Sequence, residues 1–456
     1  MGALYQQEPP YLLQDLKVSI LDTGLVFPSQ ETPRKSIFLS NIDQVLNFNV
    51  ETLHFFPPRK DFPPHLVAEK LRSTLAKVLV PYDFLAGRLK ANPKTGRLEI
   101  DCNGDGAVFV VASSEHSLDE IGDLVYPNPA FKKLIYGSQI VNELLGKDDD
   151  QPLCIFQLTS FKCGGFAMGI STNHATFDGL SFKIFLQNLA ALAADKPLAV
   201  IPCNDRQLLA ARSPPRVTCD HPEMVELKFP LGQESNVAMF DASPEDLDFK
   251  IFKLTAANIS ALKARAKETC NTQNYKHITG FNVVSAHIWR CKALSFGESF
   301  NSERESRMLY AVDIRPKLVP PLPACYTGNA VLSAYTTAKC EELKLEPFSK
   351  LVEMVSQGAK RMTDEYARSS IDWGELYKGF PQGEFLVSSW WKLGFSKVEY
   401  PWGRPRYSCP VVYHRKDIIL LFPDIEDDEN GINVLVSLPK KEMDKFQNLF
   451  QELISA

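Results

Sequence analysis

The sequence predicts an α/β protein of two domains, and three observations carry that expectation. The chain has 456 residues, more than one ordinary core supports, so about two domains of roughly 200 residues each are expected. Stretches with the two-residue period of strands alternate with stretches of helical period in both halves, the order that builds sheets flanked by helices. Between the halves, residues 196 to 223 lose all periodicity and fill with Pro and polar residues, as an inter-domain connection does. The expected division is 1–195, a crossover linker over 196–225, and 226–456.

The elements follow in chain order. At 66–79, LVAEKLRSTLAKVL sets Val67, Leu71, Leu75, Val78 and Leu79 on one helical face, with Pro63 and Pro64 just ahead, where proline is tolerated. Phe166, Met168 and Ile170 alternate with small residues, a strand signal. After Gly179 the period changes. Phe182, Phe185, Leu186, Leu189, Ala190 and Ala193 recur at helical spacing, so a helix follows. The second half opens with a helix at 255–267 capped by Thr255, then one at 280–294. The acidic run DIEDDEN at 424–430 reads as a solvated hairpin loop. INVLVSLP then forms a strand, and Met443, Phe446, Leu449, Phe450 and Leu453 make the stripe of a terminal helix.

Composition narrows the function classes. A net charge of −5 argues against a nucleic-acid surface, which needs clustered Lys and Arg. No apolar run approaches the ~18 residues of a membrane helix. The N-terminus lacks the basic and apolar regions of a secretory signal, and Gln6 breaks the myristoylation pattern. Ten cysteines without a CxxC pair read as reduced, mostly buried thiols of a cytoplasmic protein, with no zinc or disulfide framework.

The chemistry concentrates in GISTNHATFDGLSF, residues 169–182. An apolar strand ends in His174, and Asp178 and Gly179 follow before the helix. A neutral imidazole there can act as a general base, since its pKa sits near physiological pH. Asp178 can hold the turn by an ion pair, and Gly179 permits a tight turn. A histidine satisfied inside a core would show the same HxxxD spacing, which is common by chance. Cys163 lies 11 residues before His174 in FKCGGF, but its apolar strand suggests a buried thiol rather than a nucleophile. His287, beside Trp289, reads as a packed, hydrogen-bonded helix residue. Nucleophile-elbow, zinc-protease and phosphate-loop patterns are missing from the sequence.

Several blocks together carry a resemblance. LSNID at 39–43, LVPYDFLAGRL at 79–89, DCNGDGAVFVVA at 101–112, the His174 block, VSAHIWRCKA, VDIRPKLVPPLPACYTGNAV at 312–331 and SLPKKEMDKF stand in family order. The chain resembles the plant acyl-CoA-dependent acyltransferases of the BAHD family. That resemblance implies two similar-sized domains of the chloramphenicol-acetyltransferase type, a solvent channel between them, and a monomer. It implies acyl-CoA as co-substrate and a small alcohol or amine as acceptor, with no permanently bound cofactor or metal. His174 would be the base and Trp390 in VSSWW the oxyanion donor. Asp178 would pair with an arginine, for which Arg315 in VDIRPK is the chosen position. Lys253 is a candidate for the CoA phosphates.

One block departs from the family. Where its DFGWG signature falls, this chain reads Glu399-Tyr400-Pro401-Trp402-Gly403, followed by Arg404 and Pro405. Trp402 and Gly403 are kept, Glu399 keeps the charge, and Pro401 fixes φ where the family has glycine. Leu189 also replaces a frequent tryptophan. The altered loop leaves a second reading open, a scaffold that has lost transfer, and a third, elimination at the same site.

Overall fold

The computed structural model describes residues 12–136, 151–226, 246–268, 278–297, 300–411, 415–424 and 430–455. It divides into two compact units. The first holds Met1–Leu208 with Pro323–Asn329 and Leu393–Val412; the second holds the rest.

The first unit is built on a six-stranded mixed sheet in the order Val18–Val26, Ala107–Ser114, Cys154–Ser160, Phe166–Asn173, Asn49–Phe56, Tyr407–Pro410. Only the Ala107–Ser114 and Cys154–Ser160 pair is parallel. Phe166–Asn173 lies inside this sheet, and all eight of its residues are buried. A strand covered on both faces needs apolar or small residues throughout, which explains why its large residues are separated by Ala, Gly and Ser rather than by charges. At Gly169 a Cβ would meet the Leu134 carbonyl at 2.3 Å, so the segment on that face closes directly onto the backbone. The helices Pro64–Val78 and Gly179–Ala193 pack together in this unit. They bury the predicted stripes, Val67, Leu71, Leu75 and Val78 on one and Phe182, Phe185, Leu186, Leu189, Ala190 and Ala193 on the other. Leu189 is fully buried, a packing residue as expected.

The second unit repeats the plan with the order Asp248–Leu254, Ile432–Leu438, Ile418–Pro423, Phe385–Ser389, Glu305–Asp313, Val331–Lys339. Its helices include Ala256–Glu268, Gly280–Ser295 and Lys440–Ser455. Thr255 caps the first, accepting from the Asn258 N–H at 3.2 Å, as the sequence suggested. The DIEDDEN loop lies mostly outside the described residues, but the strands on either side of it pair antiparallel.

The expected extent of the C-terminal domain differs from the observed units. Residues 226–456 do not form one domain, because Pro323–Asn329 and Leu393–Val412, with the 399–403 loop, belong to the first unit. The physical reason is visible at Tyr407–Pro410, which pairs with Asn49–Phe56 and puts Tyr407 and Cys409 into the core around Leu53, Phe55 and Phe131. The expected linker 196–225 holds the point, after Leu208, where the chain passes from the first unit to the second. It contains the turn Arg206–Leu209, whose Arg206 is 2% exposed.

Candidate active site

His174 stands one residue beyond the end of the buried strand. Its backbone N–H donates to the Phe48 carbonyl at 2.7 Å, and the Thr176 N–H closes a turn onto the Asn173 carbonyl at 2.9 Å. The Asn173 side chain adds a bond from the Ala175 N–H at 3.0 Å and donates to Asn47 at 2.9 Å. The imidazole meets the Phe48 ring edge-on, with centroids 5.1 Å apart. Its Nδ1 is buried without a hydrogen-bond partner, while the residue as a whole is half-buried. Burial holds the imidazole below its ordinary pKa; its own backbone, Asp178, Asn329 and Asp43 act more weakly in the other direction. The ring is therefore neutral at pH 7, the state a base requires.

Asp178 is 4% exposed and caps the Gly179–Ala193 helix. Its Oδ1 accepts from the Ser181 N–H and hydroxyl, both at 2.9 Å, so the hold on the turn includes hydrogen bonds to an N-cap carboxylate. Gly179 has no left-handed φ, which corrects the turn argument made from the sequence. Space excludes the side chain there, since a Cβ would stand 2.8 Å from a Leu393 methyl.

Behind the turn lie residues the sequence did not single out. Asn329 donates its Nδ2 to the His174 carbonyl and to Asp43 Oδ1, both at 2.8 Å. Arg206 donates to the Ala175 carbonyl at 3.1 Å and the Thr176 carbonyl at 2.8 Å, and stands 3.4 Å from Asp43. Asp43 and Asn329 fall inside quoted family blocks, and the Ser40–Asp43 capping box was a readable local signal. Arg206 had none, being hidden in an aperiodic stretch.

The variant loop sits at the other end of the same strand. Tyr400 and Gly403 exchange backbone hydrogen bonds of 3.1 and 2.9 Å, closing a two-residue turn with Pro401 and Trp402 at its tip. Proline is a preferred second residue of such turns, so Pro401 fits. The retained Gly403 is the residue with a left-handed φ, +103°. Trp402 stacks on Tyr400 and meets Phe56 and Phe166 edge-on. Phe166 starts the eight-residue strand that ends at Asn173, a rise of roughly 26 Å at ~3.3 Å per residue. The loop thus packs far from the imidazole. Glu399 pairs with Arg404 on the surface.

The remaining candidates each have their own surroundings. Cys163 is exposed rather than buried, because it occupies the turn before Phe166, again a strand's length from His174. Lys253 lies 3.0 Å from the buried Asp424, which gives its charge a structural counter-ion. Arg315 is in the second unit, where it donates to Asp313 at 3.0 Å. Trp390 directly follows the strand Phe385–Ser389 of that unit, half-buried, its backbone N–H donating to the Leu421 carbonyl at 2.8 Å. Trp391 turns away to pack on Gly280. His287 packs edge-on to Phe450 at 4.5 Å. Among the described residues no His, Cys, Asp and Glu cluster suited to a metal occurs, and no helix is long and apolar enough to cross a membrane.

Residues 16–453 match the Transferase family. The acyltransferase GLAUCE of Arabidopsis thaliana is 61% identical over the full length of both chains. The omega-hydroxypalmitate O-feruloyl transferase of the same plant is 34% identical, over 96% of this chain and 93% of that one. In fold, vinorine synthase matches with a TM-score of 0.72 at 24% identity, covering 94% of this chain and 96% of that one. The chain belongs to the BAHD acyltransferases.

Proposed function

We propose that the enzyme moves a hydroxycinnamoyl group from CoA to the hydroxyl of a long aliphatic alcohol. The reading of the reaction rests on one observation, a half-buried imidazole fixed by its backbone just past the end of a buried strand. The substrate class is suggested by relatives named for feruloyl transfer to omega-hydroxypalmitate and for caffeoyl-CoA transfer to fatty alcohols, the latter 32% identical. Nδ1 is buried, so Nε2 is the nitrogen that would meet substrate. It takes the proton of the acceptor hydroxyl as the oxygen attacks the thioester carbonyl. The tetrahedral oxyanion needs a hydrogen-bond donor, the role that the family resemblance gives to the Trp390 indole. The C–S bond then breaks, the thiolate takes the proton back from the imidazolium, and ester and free CoA leave.

The test is acceptor-dependent CoA release from feruloyl-, caffeoyl-, benzoyl- and acetyl-CoA with long-chain alcohols, omega-hydroxy fatty acids and amines. Hydroxycinnamoyl donors with aliphatic alcohols should be the fastest pairs. His174→Ala should lose ~10² to 10⁴-fold and Trp390→Phe ~10² to 10³-fold in kcat, both while folded. Because burial lowers the imidazole pKa, the acid limb of kcat/KM should lie below 6.5, with the rate level at pH 7 and above. Retained activity in folded His174→Ala would refute the base assignment. The scaffold reading loses its support, since it drew on the altered loop and Pro401 fits its turn.

A further inference from the structure

Three buried side chains from distant parts of the first unit converge beneath His174: Asp43, Arg206 and Asn329, none more than 2% exposed. Asp43 Oδ2 accepts from the Ser40 N–H at 3.0 Å and the Ser40 hydroxyl at 2.8 Å. Its Oδ1 accepts from the Asn329 N–H at 3.2 Å and Nδ2 at 2.8 Å, with Arg206 at 3.4 Å. From this anchor, Asn329 reaches the carbonyl of His174, and Arg206 reaches those of Ala175 and Thr176. Both partners of the Asn329 Nδ2 are acceptors, so the amide has only one workable orientation.

Those three consecutive carbonyls have left the sheet ladder and precede the helix, so secondary structure does not satisfy them. A buried ion pair is weak evidence of stability, since apolar residues of equal volume often do as well. Apolar residues could not supply donors to three successive carbonyls. We propose that Asp43, Arg206 and Asn329 form one positioning unit, which fixes the His174 backbone and thereby the direction in which its imidazole meets the acceptor. The proposal rests on the reading of His174 as the base. The three are positioning residues, acting through His174 without touching substrate.

The experiment compares wild type, His174→Ala, Asn329→Leu and Arg206→Lys in steady-state kinetics, using the fastest donor and acceptor pair, with folding checked by circular dichroism and melting. Asn329→Leu keeps the volume and removes both donors. Arg206→Lys keeps the charge but cannot fork across two carbonyls. It remains informative if Asn329→Leu does not fold. Asn329→Leu and Arg206→Lys should each lose ~10 to 100-fold in kcat, the scale of a small misplacement of a catalytic group, with KM for the acyl-CoA within about twofold. In Asn329→Leu the acid limb of kcat/KM should also move to lower pH, because that side chain favours the charged imidazole. Unchanged kcat in folded variants, beside an inactive His174→Ala, would overturn the positioning role and leave the base assignment standing. An active His174→Ala would remove the base assignment, and the positioning role with it.

Discussion

At the scale of single residues, two glycines of the site regions differ in kind. Gly403 sits at φ +103°, where any side chain is strained, and Gly403→Ala should cost about 1–3 kcal/mol. Gly179 is excluded only by a methyl of the half-buried Leu393, which can rotate, and alanine suits the start of a helix. Gly179→Ala should therefore cost about 1 kcal/mol or less. Urea unfolding of the two variants gives the order directly, and a larger loss at Gly179 would contradict it. The HxxxD glycine is thus a packing residue, although it stands beside the His174 turn.

At the scale of elements, polar constellations have to be judged by access as well as spacing. In the second unit His221 lies 2.9 Å from the Ser369 hydroxyl and 3.3 Å from Glu223, the order of a hydrolytic triad. Ser369 is fully buried, and its oxygen accepts from the Thr218 and Cys219 N–H groups at 3.0 and 3.1 Å. A nucleophile whose lone pairs are both occupied cannot attack, so this cluster fastens the 218–219 segment to the Asp364–Tyr377 helix. The aromatic turn at 400–403 is likewise structural. Trp402 is 1% exposed among Tyr400, Phe56 and Phe166. Trp402→Ala should cost about 3–5 kcal/mol, seen as a large fall in Tm, while Pro401→Gly should leave kcat unchanged.

At the scale of the whole molecule, acid should unfold this protein through its buried histidines. His54 in the first unit and His287 in the second are each pushed down to about 3 by burial. The unfolded chain protonates them near 6.5 and the folded one does not. Their contribution to stability is therefore complete above pH 6.5 and drains away as pH falls from 6.5 towards 3, at roughly 1.4 kcal/mol per pH unit for each. Tm measured at pH 7, 6 and 5 should fall less steeply in His287→Gln than in wild type. Parallel slopes would contradict the assignment. His54 is bonded to the neutral Ser408 hydroxyl at 2.8 Å, which binds either tautomer and offers a proton no counter-charge.

The sequence by itself determined the elements that bury one stripe or one strand. The helical faces at 67–78 and 182–193, the strand leading to His174 and the helix behind Asp178 are set by local period and capping, which neighbours in sequence control. It also determined the family, through several short blocks in order. Tertiary structure alone decided that Cys163 is exposed in a turn, that Gly179 yields to Leu393, and that a strand at 407–410 completes the first sheet. It alone brought Asp43, Arg206 and Asn329 under the His174 turn. Those contacts reach as far as the 286 positions between Asn329 and Asp43 and the 155 between Asn329 and His174. Pairing across such distances leaves no period in the chain, because long-range packing and the burial of unsatisfied carbonyls set it.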